Sequence, residues 1–393
     1  MSNTIKHFLF GTVDSWFFKE SRSMDSSGSN TLISLFPPPS KTLLGAIRSQ
    51  IGEKFHKKND TNWNKFNKKS DLAKIIGFGD DFGMCNLSSQ GAWLYNNQEN
   101  QLYFPTPANL IRQKSEGLAP YDFFSIGNAI KSDLGTVKFA QLDYKKEQSP
   151  LENRFISKSE FNTVLKGNKA SKTISEKSIL SREGRLGIAR DNDTRNAEKG
   201  KLYQTEHLRL GDDWNVYLGI DGLNKDDVPA DNLIIRLGGE ARMSSVVQKE
   251  NIEIPEPPKV DKNEKKLVIY LLTALPDYRT DSERPPLPND TFKASSLNDH
   301  QIWEGQINSI NISIETAIIG KLFRLGGWNM AIHQPQAVKS YIPAGSCWYI
   351  TLDETQDANE VIEKLHGQFL TTGNEQALGY GQIVIGKQPT LTD

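Results

Sequence analysis

The sequence predicts an α+β chain folded into two compact units, and three observations carry that expectation. Residues 6–13 read as a strand that passes through a polar loop into an amphipathic helix, the opening half of a split βαβ unit. Residues 252–264 combine Pro255, Pro257 and Pro258 with a series of charges, the composition of a connection between compact bodies. Beyond that stretch, short β-branched runs resume and lead to a second helical pattern over residues 357–370. A chain of 393 residues is also too long for one comfortable hydrophobic core.

The elements of the first unit follow in order. Residues 6–13 are apolar and stop at Asp14, and residues 21–30 form a serine-rich loop containing Gly28. Phe36-Pro37-Pro38-Pro39 comes next. Proline cannot donate to a central ladder, and the last of the three presets φ for the element that follows. Ser40 is expected to cap a helix over 41–55, in which Leu43, Leu44, Ile47 and Ile51 recur at helical spacing and Arg48 and Lys54 add charge. Residues 57–74, rich in Lys and Asn, read as an exposed insertion. Segments 75–82, 93–104 and 137–142 read as strands or irregular packing, and residues 147–181 turn polar. Over 182–196, Arg182, Arg185, Arg190 and Arg195 alternate with Gly184, Gly187 and two aspartates, the pattern of a basic hairpin. Residues 234–239 then lead into Glu240-Ala241-Arg242-Met243 as a closing strand.

The second unit opens with a strand over 267–274 and continues with strand segments at 307–319, 328–338 and 346–352. A helix over 357–370 places Val361, Ile362, Leu365 and Phe369 on one side, and a last strand covers 382–385. The expected division is residues 1–251, a linker at 252–265, and residues 266–393.

Charge narrows the class of partner. The net charge of −1 hides two basic stretches, with nine Lys or Arg against three acids over 41–74 and twelve against six over 154–201. Residues 203–260 carry eleven acids against six basic residues. Two readings stand: ordinary fluctuation on a solvated surface, or two basic segments that converge on a phosphate backbone. No apolar run approaches the roughly 20 residues of a membrane span and no signal peptide opens the chain, so a cytoplasmic address without membrane contact is expected. Cys85 and Cys347 stand far apart and read as small buried hydrophobes. The six histidines, His7, His56, His207, His300, His333 and His366, have no metal-ligand spacing. Neither a metal nor a cofactor is expected. Nothing joins a nucleophile, an activating base and an orienting group, so catalysis is not expected either.

An ordered set of motifs then carries a family resemblance. The N-terminal part has Asp14-Ser15-Trp16-Phe17-Phe18, Phe36-Pro37-Pro38-Pro39 and Leu44-Gly45-Ala46-Ile47-Arg48. The middle has Gly187-Ile188-Ala189-Arg190-Asp191, Thr194-Arg195, Glu198-Lys199-Gly200-Lys201-Leu202-Tyr203 and Glu206-His207-Leu208-Arg209-Leu210. The end has Ile342-Pro343-Ala344-Gly345-Ser346, Leu378-Gly379-Tyr380-Gly381 and Gly386. In this order they resemble the third Cmr subunit of type III-B CRISPR effectors, a member of the RAMP superfamily. The resemblance implies two ferredoxin-like, RNA-recognition-like domains with insertions. It also implies contact with the repeat-derived 5′ tag of the crRNA, with the large Cmr subunit and with a Cmr backbone subunit, and with target RNA through the assembled complex. Residues 57–74 and 147–177 are not matched strongly.

The candidate RNA contacts keep their alternatives. Gly379 and Gly381 either present backbone N–H groups to phosphate or form a tight turn before the last strand, and no Walker lysine completes a P-loop there. Tyr380 either stacks on a base or packs beside the sheet. Arg48 either holds a guide phosphate or pairs with Glu53. Arg182, Arg185, Arg190, Arg195, Lys199 and Lys201 lie where a curved hairpin would follow RNA phosphates. Tyr203 and His207 either stack on bases or serve packing and local hydrogen bonding, with His207 in a polar network beside Glu206. Arg242, oriented by Glu240, reaches RNA or a partner, or closes a structural salt bridge. The expected role is a non-catalytic subunit that binds the 5′ tag and bridges the large subunit to the guide-bound filament. The competing roles are a purely protein-bridging subunit and an RNA-processing endoribonuclease using His207.

Overall fold

The computed structural model describes residues 5–20, 31–114, 121–132, 135–190, 194, 196–279 and 284–389. The chain is a mixed α/β structure of mostly antiparallel sheets with few helices. The larger sheet has eight strands, in spatial order Ile174–Ser175, Arg154–Ser157, Gln101–Pro105, Ser88–Asn96, Trp214–Asp221, Lys6–Thr12, Met243–Lys249 and Leu233–Arg236. The second has six, in order Lys293–Leu297, His300–Ile307, Ile310–Ile318, Cys347–Thr351, Lys266–Leu271 and Ile383–Lys387.

One ordering rule recurs in both sheets. In the first, Lys6–Thr12, Ser88–Asn96, Trp214–Asp221 and Met243–Lys249 succeed one another in the chain but lie side by side as second, third, first, fourth. In the second, Lys266–Leu271, Ile310–Ile318, Cys347–Thr351 and Ile383–Lys387 lie in that same order. Helix Ser40–Asn59 connects the first pair in the larger sheet, and helix Ala358–Leu365 connects the last pair in the smaller.

Alternate residues of the central strands face different cores, which explains their continuous apolar runs. Phe8 and Phe10 join Leu43, Leu44, Ile47 and Ile51 of helix Ser40–Asn59. Leu9 points the other way, into a core shared with Trp93, Tyr217, Val268, Tyr270 and Leu272. Leu267, Ile269 and Leu271 face Val361, Ile362 and Leu365 of helix Ala358–Leu365. The two sheets therefore stand back to back, each with a helix on its outer side.

Several expected boundaries move, each for a local reason. Pro39, not Ser40, occupies the cap position, and the Ser40 hydroxyl donates to the Leu378 carbonyl. That helix continues to Asn59 and stops where Asp60 turns left-handed. Residues 57–74 are largely exposed, as expected, and fold back on the helix at one point, with Trp63 over Gly52 and its indole N–H donating to Glu53. Segment 75–82 forms the end of helix Asp71–Ile76 and a turn instead of a strand. Segment 328–338 keeps only the two-residue strands Trp328–Asn329 and Gln334–Pro335. The helix expected over 357–370 ends at Leu365, because Gly367 takes φ +78° and Phe369 pairs with Gln382. Residues 234–239 lead into a hairpin through the left-handed pair Glu240 and Ala241, and Met243–Lys249 is the strand next to Lys6–Thr12. Among the described residues no helix is long and apolar enough to cross a membrane.

Candidate nucleic-acid interface

Strands Leu180–Arg190 and Ala197–Leu210 form the long hairpin, pairing Leu180 with Leu210 and Gly187 with Tyr203. At its base Trp16 bonds to Leu208 in both directions, and Thr31–Leu32 runs parallel to Gln204 and Thr205. Further out the described strands pair with each other alone. Period-2 alternation puts Ser181, Glu183, Arg185, Thr205, His207 and Arg209 on one face of the ribbon.

That face ends in an ion network. Asp14, in the bend after the first strand, accepts from Arg185 at 3.1 Å and Arg209 at 2.8 Å, and lies 3.5 Å from Arg242. Glu183 accepts from Arg209 at 2.6 Å and from Arg185 at 3.1 Å. Glu240 accepts from Arg242 at 3.1 Å. Hydrogen bonds from Arg185 and Arg209 hold the Asp14 carboxyl below its ordinary pKa, and those from Arg209 and Arg185 do the same for Glu183. On the opposite face Arg182 is bound to Glu176 and Glu206 and donates to the Ser34 carbonyl.

His207 lies buried beneath this network. Its ring stacks on Phe17 at 5.5 Å, Nδ1 is 3.2 Å from the Ser15 hydroxyl, and Nε2 is 3.1 Å from both Thr205 and Glu240. It is therefore closed to base stacking, and its acidic partner is Glu240 instead of Glu206. Burial and then the positive Arg242 and Arg185 push its pKa down, so the neutral ring is favoured. The sign follows from linkage: as pH falls below the ordinary 6.5, the unfolded chain takes up a proton that the folded chain resists, and stability drops. We expect wild type to lose more stability than His207→Gln when urea unfolding is compared at pH ~7.5 and ~5.5. Equal losses would remove His207 from the acid response.

The remaining expected contacts divide sharply. The Arg48 guanidinium donates to the Gly79 carbonyl at 2.9 Å and lies 4.8 Å over the Phe82 ring. It neither projects to a guide phosphate nor pairs with Glu53. Tyr380 is buried and packs on Tyr341 at 5.0 Å, so its ring does not face a base. Gly379 and Gly381 both take φ +81°, but their amides donate to Gln376 and Ala274. A Cβ on Gly379 would meet the Ser89 carbonyl at 2.9 Å. The glycines serve a close approach within the chain, and no amide is left over for phosphate. Arg185 and Arg242 meet at Asp14. Arg190, Lys199, Lys201 and Tyr203 lie on the hairpin strands, with side chains outside the described ones, and Arg195 lies outside the described residues. Among the described residues no three His, Cys, Asp or Glu side chains gather as a metal site.

The model of the family described as CRISPR-associated protein (Cas_Cmr3) matches residues 8–388. The chain belongs to the Cas_Cmr3 family. As such it is the third-subunit type of type III-B CRISPR effectors. No curated protein sequence matches this Cas_Cmr3 chain. Among solved structures it is similar to a chain of the type III-B Cmr-beta complex bound to cognate target RNA, with 14% identity, a TM-score of 0.49, and coverage of 98% of this chain and 99% of that one. It is also similar to a chain of the Csm3-Csm4 subcomplex of the type III-A interference complex, with 15% identity, a TM-score of 0.39, and coverage of 90% and 94%. Three residues of the network, Asp14, Glu183 and Arg209, were not singled out as site residues from the sequence of this Cas_Cmr3 chain. Glu183 and Arg209 had a readable signal, since strand alternation puts them on one face with Arg185 and His207. Asp14 was marked only by ending a strand and opening the motif Asp14-Ser15-Trp16-Phe17-Phe18, neither of which points to three arginines.

Proposed function

We propose that this chain is a non-catalytic subunit that anchors the repeat-derived 5′ tag of the crRNA and bridges the large Cmr subunit to the guide-bound filament. The observation that carries the reading is the hairpin, whose strands continue past their last pairing with the body and bear Arg190, Lys199 and Lys201. A basic two-stranded ribbon standing off a packed body presents charge to a phosphate chain at little cost to the core. The body is read as two ferredoxin-like domains, residues 1–251 and 266–393, joined by 252–265. The repeated second, third, first, fourth strand order supports this, each domain keeping one of the two helices of that fold. Its partners are the crRNA tag, the large and backbone Cmr subunits, and target RNA through the assembled complex. The burial of His207 under Phe17 argues against an acid/base role in RNA cleavage.

Fluorescence anisotropy with tagged and untagged guide RNA, for the protein alone and with its partner subcomplex, tests the reading. Tagged guide is expected to bind more tightly and to remain intact. Equal affinity for both guides in both assemblies would leave a protein-bridging role, and cleavage lost on His207→Gln would replace the reading with a nuclease.

A further inference from the structure

The ion network at the hairpin base has an arithmetic that its structural role does not require. Three guanidinium groups, those of Arg185, Arg209 and Arg242, meet one half-exposed carboxylate, Asp14. Each arginine also has a second tether independent of Asp14. Glu183 holds Arg185 and Arg209, and Glu240 holds Arg242. With Asp14 withdrawn, three positive charges would stay in position against two negative ones, leaving room for a single anionic charge. A phosphodiester carries one negative charge and accepts from guanidinium forks as a carboxylate does. The Nε of Arg242 is buried with no partner among the described residues, so this guanidinium keeps one donor that neither Asp14 nor Glu240 uses.

We propose that Arg185, Arg209 and Arg242 form a binding slot for one phosphodiester of an RNA strand, with Asp14 as the intramolecular placeholder that the phosphate displaces. The slot rests on the proposed RNA-anchoring function and deepens it. Arg185 and Arg209 sit on the hairpin strands themselves, the same two strands that carry Arg190, Lys199 and Lys201 further out. Asp14 is suited to the exchange because it is the most exposed of the three carboxylates and sits in a bend instead of a ladder. Glu183 and Glu240 keep the forks converged before RNA arrives, which lowers the ordering cost of binding.

The experiment uses the full chain with its partner subcomplex and tagged single-stranded guide RNA at two salt concentrations. Asp14→Asn keeps the shape and removes the competing charge. It is expected to tighten binding roughly 3- to 10-fold at low salt and to steepen the salt slope by about 0.7, the increment of one phosphate contact on a single strand. Arg209→Gln is expected to do the reverse, and it keeps the test open if Asp14→Asn fails to fold. Unchanged affinity and slope in both variants, with normal tag binding by wild type, would overturn the slot and leave the anchoring function standing. Absence of tag binding by wild type would overturn both. Inorganic phosphate alone, followed by melting temperature, separates the source of the anion. A shift that is larger in Asp14→Asn, without any change in RNA binding, would overturn the assignment to a strand phosphate.

Discussion

Replacing Trp93 by alanine is expected to destabilise the chain by about 3–5 kcal/mol, the range for deleting a fully buried tryptophan. The indole is completely buried on strand Ser88–Asn96 and faces the core between the two sheets. It stacks on Tyr217 at 5.5 Å with an interplanar angle of 4°, and packs on Phe104 at 5.1 Å. Its N–H donates to the Leu272 carbonyl at 3.0 Å, a bond that ties the eight-stranded sheet to the segment following the first strand of the other. Alanine would leave a cavity and an unpaired buried carbonyl together. Trp93→Phe refills most of the volume and loses the bond, so its cost should be clearly smaller. Urea unfolding followed by circular dichroism measures both. A loss below about 1 kcal/mol for the alanine variant would show that the sheets do not depend on this contact.

The second large effect concerns RNA. The triple substitution Arg190→Ala, Lys199→Ala, Lys201→Ala is expected to weaken tagged-guide binding roughly 10- to 100-fold near physiological salt and to reduce the salt slope by about 2. All three positions lie beyond the pairing of Gln204 and Thr205 with Thr31–Leu32. Folding should be spared, because alanine keeps the backbone of a ribbon whose described strands pair here with each other alone. Arg185 is deliberately retained, since its tethers to Asp14 and Glu183 would mix a structural effect with the binding one. Anisotropy titrations at two salt concentrations, beside a thermal melt, separate the two. A variant that melts normally and binds with unchanged slope would exclude the outer hairpin as the RNA contact.

Different physical signals made different parts of the molecule readable. The first strand and the helices Ser40–Asn59 and Ala358–Leu365 follow from local periodicity. Leu43, Leu44, Ile47 and Ile51 can share a face only at helical spacing, and Val361, Ile362 and Leu365 repeat the argument. The hairpin was readable as a glycine-punctuated basic run. Strand Trp214–Asp221 was not, although it lies at the centre of the larger sheet. It is buried on both faces, so its residues lack the alternation that marks a half-exposed strand. The glycine loop stayed open to two readings for a related reason. A close backbone approach demands the same residue type whether the approaching group is a phosphate or the Ser89 carbonyl.

By itself, the sequence determined what depends on near neighbours along the chain: the α+β class, the helix faces and the ordered motifs that mark the family. The tertiary structure decided which charges cancel. Asp14 meets Arg185, Arg209 and Arg242 across separations of 171, 195 and 228 residues, and His207 reaches Ser15 across 192. Coulomb attraction and hydrogen bonding act over a few ångströms of space, whatever the distance along the chain. Strand order sets that spacing, because it brings the bend after the first strand against the base of a hairpin that begins at Leu180.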